Sequence, residues 1–372
     1  MSNSITQPSV TFCINELDVG GAEKALVRIA LGLHERHWQV RVISLRDKGP
    51  LADDLEAQGI AVKALGGGGF ADFSRLPALK AALRHEFAAD VIVSFLHQAN
   101  IHTRLAARNI GVPVVSGIRV ADRRRWVTWT DRLTSRWVQT YVAVSQSVAD
   151  VHARLCGLDA QRIVAIPNGV DLPAEDVLSF ERPSGKLLCV GRLTPQKAPL
   201  DAIEAFRRLP QRLRQDASLI LVGEGELRQQ LQHTIDHAGL RDQIQLAGQV
   251  TDVAERMQRA TALVLASHWE GMPNVVLEAM ANGLPVVATA VDGTAELIEA
   301  RTSGWLVNAG QPGALADAIT ECLEQPDLRQ KYAENAYQAA QTRFSWTSVV
   351  SRYERLLRSL LTRTDAPFRD EM

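Results

Sequence analysis

Glu270 and Glu278 stand with seven residues between them in the stretch EGMPNVVLE. The run ALVLASH before them (262–268) reads as a strand, Gly-Met-Pro-Asn as a turn, and a helix is expected from about Asn274. That spacing puts Glu270 on the loop and Glu278 about one turn into the helix. The backbone N–H groups along Gly271, Met272, Pro273, Asn274 and Val275 would then serve as donors to an anion at a helix start. A loop carboxylate can accept the hydroxyls of a sugar, and a helical one can hold a ribose diol. The plainer alternative is a loop carboxylate followed by a Glu that suits the helix dipole.

A second cluster is Val190-Gly191-Arg192-Leu193 with Lys197 five residues after Arg192. Two cations on a loop after a strand could clamp a diphosphate, the guanidinium by paired hydrogen bonds and the ammonium as a point charge. Two solvated surface cations are the bland reading. Gly20-Gly21-Ala22-Glu23 follows the first strand run and opens a helix, so a ligand could approach its backbone closely. A tight turn with no ligand explains it as well. Gly223-Glu-Gly225 resembles a dinucleotide fingerprint, but Arg228 stands where a third glycine belongs. It reads as a strand-to-helix loop.

Other chemistries lack their residues. There is no GxSxG elbow, GxxxxGK[ST] or HExxH, and no Asp-x-Asp pair for a metal-bridged diphosphate. Cys13, Cys156, Cys189 and Cys322 show neither CxxC nor metal-ligand spacing, which fits a reducing compartment. The net charge of −1 gives no global pull toward nucleic acid. No apolar run approaches a membrane span, and the N-terminus does not read as a secretory signal.

The elements that must position these residues alternate regularly. Short β-branched runs at 9–15, 39–45, 60–65, 90–96, 113–119, 140–146 and 162–168 are separated by helical patterns. The alternation breaks at 171–186 and restarts at 186–193, 218–225, 244–250, 262–268, 285–291 and 304–310. Runs apolar on both faces and spaced by helices imply buried parallel sheets. At 372 residues, two α/β domains are expected, 1–172 and 183–343, each Rossmann-like, with ligands in a cleft between them. The pattern WTSVVSRYERLLRSLL (346–361) is either a return helix on the first domain or a terminal helix of the second.

One segment stands apart. Residues 119–137, RVADRRRWVTWTDRLTSRW, hold six Arg against two Asp, and Trp126, Trp129, Leu133 and Trp137 share one helical face. Tryptophan beside arginine suits an anionic lipid interface, and a buried Trp stripe with solvated arginines is the alternative.

At these motifs the sequence resembles family 4 of the retaining glycosyltransferases, of the bacterial glycan, lipopolysaccharide and exopolysaccharide type, which has the GT-B fold. The resemblance runs through GGAEKAL, YVAVSQSVAD, IVAIPNGVD, VGRLTPQK, LILVGEGEL and the Glu270-to-Glu278 motif with AMANGLPVVAT. It implies that Glu278 binds the donor ribose, Glu270 the sugar hydroxyls, and Arg192 and Lys197 the diphosphate. Gly191 and the backbone from Gly271 to Val275 would help hold phosphate and sugar, and Gln249 and Val250 would read the base. Gly20 and Gly21 would let donor and acceptor meet near the first domain. Two departures matter: Arg119 stands where many members place a His near the donor sugar, and Ala198 where glycine commonly follows the lysine. His97, after the preceding strand run, could substitute in part for the missing His, and a polar loop His with no role is the alternative. Glu270, Arg192, Lys197 and Arg119 are thus the catalytic candidates.

The implied reaction moves a hexosyl group from a nucleoside-diphosphate sugar, a UDP-sugar ahead of a GDP-sugar, to a glycan or lipid-linked acceptor with retention. No resident cofactor and no metal is expected. The implied setting is cytoplasmic, with peripheral attachment through 119–137 left open. Alternatives are a sugar-nucleotide epimerase on the same scaffold, a dehydrogenase that the broken fingerprint disfavours, and a non-catalytic sugar-nucleotide-binding protein.

Overall fold

The computed structural model describes residues 7–69, 72–120, 122, 124–174, 178–183 and 185–362. The chain divides into two compact units, one of Met1–Gly169 with Trp346–Met372 and one of Val170–Ser345.

In the first unit seven strands are parallel: β1 (Ser9–Ile14), β2 (Gln39–Ser44), β3 (Ala61–Ala64), β4 (Val91–Phe95), β5 (Val114–Ile118), β6 (Thr140–Ala143) and β7 (Ile163–Ala165). Their spatial order is β3-β2-β1-β4-β5-β6-β7. The second unit holds β8 (Lys186–Val190), β9 (Ser218–Val222), β10 (Ile244–Gly248), β11 (Ala262–Leu265), β12 (Val286–Thr289) and β13 (Trp305–Val307), in the order β10-β9-β8-β11-β12-β13. Every apolar run of the sequence carries one of these strands. Most strands stop short of the runs at their carboxyl ends, where the backbone turns into the connecting loops; some of the residues that follow, such as Val144, Ile166 and Ala266, stay buried, and others, such as Arg192, Glu224 and Gln249, are exposed. All five residues of β4 and all five of β5 are buried, as helices on both faces of a parallel sheet require.

Each sheet grows outward in both directions from one adjacent pair, β1 with β4 and β8 with β11. Chain connections leave such a pair to opposite sides, and the carboxyl ends at that reversal are where open α/β sheets bind their ligands.

Helix Trp346–Leu361 belongs to the first unit. Its Val349, Val350, Tyr353, Leu356 and Leu357 are buried in one core with Leu26, Leu33 and Trp38. Gly32 makes the approach possible: a Cβ there would lie 2.6 Å from Val350 Cγ2. Arg36 ties the helix from outside, its Nη1 2.9 Å from Glu354 and its Nη2 donating to Ser351 Oγ at 2.8 Å.

Truncating Leu356 to Ala removes a fully buried side chain, a change that typically costs about 2–5 kcal/mol. Hydrogen exchange read by mass spectrometry should show weaker protection in β1, β4 and helix Gly21–Glu35, with β8 to β13 unchanged. Equal loss in both units, or none, would contradict the assignment of this helix to the first core.

Candidate functional site

In the second unit the candidate residues gather at the loops that leave β8 and β11. Gly191 and Arg192 follow β8, and Lys197 closes a short 3-10 turn, Pro195–Lys197. After β11 comes the loop 266–273, then helix Asn274–Ala281. Lys197 Nζ lies 2.5 Å from Glu270 Oε1, and Ser267 Oγ donates to the same oxygen at 2.6 Å. Glu270 is only 6% exposed, so its charge is held by these donors rather than by water. The two loops are stitched further: Gln196 Nε2 donates to Trp269 O at 3.0 Å, and His268 N–H to Gln196 O at 2.9 Å. Thr289 Oγ1, at the end of β12, donates to Ser267 O at 2.6 Å and fixes the far side.

The loop after β9 lies against this one. Leu193 N–H donates to Glu224 O at 2.9 Å, and Leu227 N–H to Leu193 O at 3.0 Å. Gly223 has φ +134°, and a Cβ on it would sit 2.0 Å from Gly191 O. Only glycine fits there, so the Gly223-Glu-Gly225 motif serves close loop packing.

The remaining donor candidates fall where the strand ends put them. Arg192 is exposed, and its Nη2 reaches Gln196 Oε1 at 3.4 Å. Gln249 and Val250 follow β10, the first exposed and the second half-buried. Gly271 and Met272 are half-buried in the turn. The helix starts at Asn274, with Val275 in its first turn, and Glu278 is exposed between buried Leu277 and Ala279. One expectation is corrected: Pro273 has no N–H to offer an anion, and it precedes the helix, its carbonyl accepting from Val276 N–H at 3.0 Å. Ala198 holds a left-handed conformation (φ 45°, ψ 50°), where glycine would be unstrained.

The first unit carries the other candidates. Gly20 caps helix Gly21–Glu35 after β1, its carbonyl accepting from Lys24 N–H at 3.0 Å. Arg119, just after β5, turns inward: its Nη2 donates to Asn168 Oδ1, and its guanidinium lies 5.4 Å from the Phe95 ring centre. Burial pushes Arg119 down and Glu23 up from their ordinary ranges, and attraction between the two charges opposes both shifts. Arg119 therefore does not belong to the basic surface that the sequence suggested.

His97 opens helix His97–Ala107 after Leu96, whose φ is +73°. Its Nδ1 is 3.7 Å from Asp131 Oδ2, its Nε2 is 3.2 Å from Thr130 Oγ1, and Trp126 meets it edge-on at 5.5 Å. Asp131 is buried and paired with Arg104, which is fully buried, while His152 Nε2 approaches to 3.6 Å. Burial alone would raise the Asp131 pKa, but Arg104 and the two imidazoles outweigh it and hold the carboxyl well below its usual range.

The Trp segment also differs from expectation. The helix runs Arg125–Thr134 and buries Val127, Asp131 and Thr134. Trp126, Trp129 and Leu133 are 44%, 63% and 50% exposed, so they do not enter the core. Trp137 leaves the stripe because the chain tightens into a 3-10 turn, Ser135–Trp137, and half-buries it. Arg124, Arg125, Arg132 and Arg136 are exposed beside these rings, and Arg123 lies outside the described residues.

Sequence reasoning missed Ser267, Thr289 and the Arg104–Asp131 pair. Asp131 was legible in principle, since it shares the helical face of Val127 and Thr134. Ser267 and Thr289 carry no signal, because their role depends on which strands become neighbours.

Comparison with known proteins places these loops in context. Residues 19–173 match a family model described as Glycosyltransferase Family 4, and residues 176–339 match one described as Glycosyl transferases group 1. The chain is 27% identical over 279 residues to an Escherichia coli UDP-Gal:alpha-D-GlcNAc-diphosphoundecaprenol alpha-1,3-galactosyltransferase, covering 69% of this chain and 72% of that protein. It is 26% identical over 345 residues to a Campylobacter jejuni undecaprenol-linked alpha-1,4-N-acetyl-D-galactosaminyltransferase, covering 88% and 92%. Its fold is similar to that of Anabaena Alr3699/HepE, solved in complex with UDP, with a TM-score of 0.82, 22% identity, and coverage of 94% of this chain and 100% of that one.

Replacing Lys197 by Met should strand the buried Glu270 carboxylate and destabilise the second unit by up to about 3 kcal/mol. The double change Lys197→Met with Glu270→Met should regain most of that loss. Urea unfolding of the four proteins checks the cycle, and additive losses would show that the pair is not coupled.

Proposed function

Because the chain belongs to the family 4 glycosyltransferases of GT-B fold, we propose that it transfers a hexosyl group from a UDP-sugar to a lipid-linked glycan with retention of configuration. The observation that carries this reading is the convergence of a cation, a buried carboxylate and a helix start at the loops leaving β8 and β11. A diphosphate needs concentrated positive charge. Lys197, Arg192 and the positive end of helix Asn274–Ala281 supply it there. Glu278, exposed one turn into that helix, is placed for a ribose diol. Glu270 aligns Lys197 and meets the sugar hydroxyls. The relatives described above are transferases, so neither an epimerase nor a non-catalytic binding protein is favoured.

In the proposed reaction the bond from the anomeric carbon to the diphosphate oxygen breaks, and the acceptor oxygen bonds to that carbon on the same face. The acceptor proton passes to the departing diphosphate. Stabilising the charge on that leaving group is then the main catalytic work, and losing one contact costs about 10²–10³ in rate. In this reading acceptor recognition falls to the first unit, with His97 as a polar group on the acceptor or donor side, Arg119 as the group that stands near the donor sugar, and Gly20 and Gly21 as the backbone where donor and acceptor meet.

The test is incubation with labelled UDP-sugars and an undecaprenyl-diphosphate-linked sugar. UDP release with label in the lipid fraction is expected, the product α-linked by proton NMR coupling, and EDTA should not abolish turnover. Arg192→Ala should lower the rate by about 10²–10³ while leaving the fold intact. An inverted product would overturn the retaining reading, and normal activity in Arg192→Ala would overturn the site.

The partner surface we propose is an anionic bilayer, met by helix Arg125–Thr134. Trp126, Trp129 and Leu133 present exposed apolar area, and Arg124, Arg125, Arg132 and Arg136 flank it. Each cation near such a surface contributes about 1 kcal/mol, so attachment is weak and salt-sensitive. Sedimentation with phosphatidylglycerol vesicles should carry the wild type down at low salt and lose both Trp129→Ser and Arg124→Ser/Arg125→Ser/Arg132→Ser. Equal partitioning of all three proteins would show that this face does not meet lipid.

A further inference from the structure

Helix Arg228–His237 carries His233 and His237 four residues apart, both exposed. Their rings lie 4.1 Å apart, centre to centre, and their Nε2 atoms are hydrogen-bonded at 2.8 Å, so a shared ion would take the place of the proton between them. From this geometry we infer that the two imidazoles form a chelate for a divalent transition-metal ion, of the kind that prefers cis nitrogen ligands at right angles, such as Cu²⁺ or Ni²⁺.

Imidazole nitrogens bind such ions at about 2.0–2.1 Å. Two nitrogens 2.8 Å apart then subtend an angle of about 86° at a shared ion. That is the cis angle of a tetragonal site, which suits Cu²⁺ and Ni²⁺. A tetrahedral Zn²⁺ would want the nitrogens about 3.3 Å apart, so it fits less well. The helix holds the pair in place, because Leu231 and Ile235 on its other face are buried in the core of the second unit. Residues i and i+4 of a helix already face each other, so little side-chain freedom is lost on closing the ring.

The surroundings define what kind of site this is. Both histidines border a groove of about 420 Å³ with Leu200, Ile203, Glu204 and Arg207. Glu204 is engaged by Arg207 at 2.7 Å and by Arg208 at 2.6 Å. Asp236 is held by Arg241 at 2.6 Å and Gln232 at 2.9 Å. Neither carboxylate is therefore spare, and water must complete the coordination. The result is an exchangeable two-point chelate across the last turn of the helix. That helix follows directly on the 223–227 loop, so an ion here would stiffen the element that leaves it. The buried trio Asp131, His152 and Cys156 is a poorer candidate. Arg104 already neutralises Asp131, and burial pushes the Cys156 thiol up to about 12, far from the thiolate that a metal requires.

The test is titration of the full chain with CuCl₂, read by electron paramagnetic resonance and by the thermal midpoint. The first equivalent should show hyperfine coupling to two imidazole nitrogens and raise the midpoint, with weaker binding of Zn²⁺. Acidification should release the ion, since ligand imidazoles must be neutral. His233→Gln and His237→Gln should each reduce the signal to one nitrogen and weaken binding by at least ~10-fold, with circular dichroism unchanged, while His34→Gln should behave as wild type. Unchanged copper affinity in both variants, or the same two-nitrogen signal, would overturn the site and show adventitious binding elsewhere.

Discussion

A parallel sheet built outward from two central strands has one place where neighbouring connections leave in opposite directions. In this chain that place is β1 beside β4 in one unit and β8 beside β11 in the other. The rest of the candidate chemistry depends on those adjacencies. Gly20 and Gly21 follow β1 and His97 follows β4, while Gly191, Arg192 and Lys197 follow β8 and Glu270 follows β11. Residues more than seventy positions apart, Lys197 and Glu270, come within 2.5 Å because their strands are neighbours.

The Lys197–Glu270 contact shows how such a site is kept ready. A carboxylate 6% exposed needs partners for its charge, and Lys197 and Ser267 supply them. The lysine that would face a diphosphate is thus already held in place, and the loop around it is fixed by Gln196, Trp269 and Thr289. Preorganised charge costs no rearrangement when a leaving group develops negative charge, and the transfer proposed above would draw on it.

The first unit solves a different problem with the same physics. Helix Arg125–Thr134 exposes two tryptophans, which by itself would leave it weakly anchored. Asp131 on its inner face pairs with the fully buried Arg104, and Thr134 accepts from the same guanidinium at 2.9 Å. The buried ion pair fixes the register of a helix whose outer face is left apolar, and the same carboxylate stands beside His97.

The alternation of apolar runs and helical patterns was enough to read two α/β units and every strand, because strands buried in a parallel sheet read as short, nearly continuous apolar runs between helices. The turn and helix start after Glu270 were equally legible, since Gly-Met-Pro-Asn and the position of Glu278 are local features. The sequence could not decide that Arg119 turns inward to Asn168, that Ser267 and Lys197 share one carboxylate oxygen, or that the Trp stripe stays outside while Asp131 goes in. It left the helix 346–361 two possible homes, and the choice rests on Gly32 opening room for Val350. Periodicity along a chain reports which residues avoid water, and it says nothing of which distant residue will be there to meet them. Strand order and close packing decide that, and they exist only in the folded molecule.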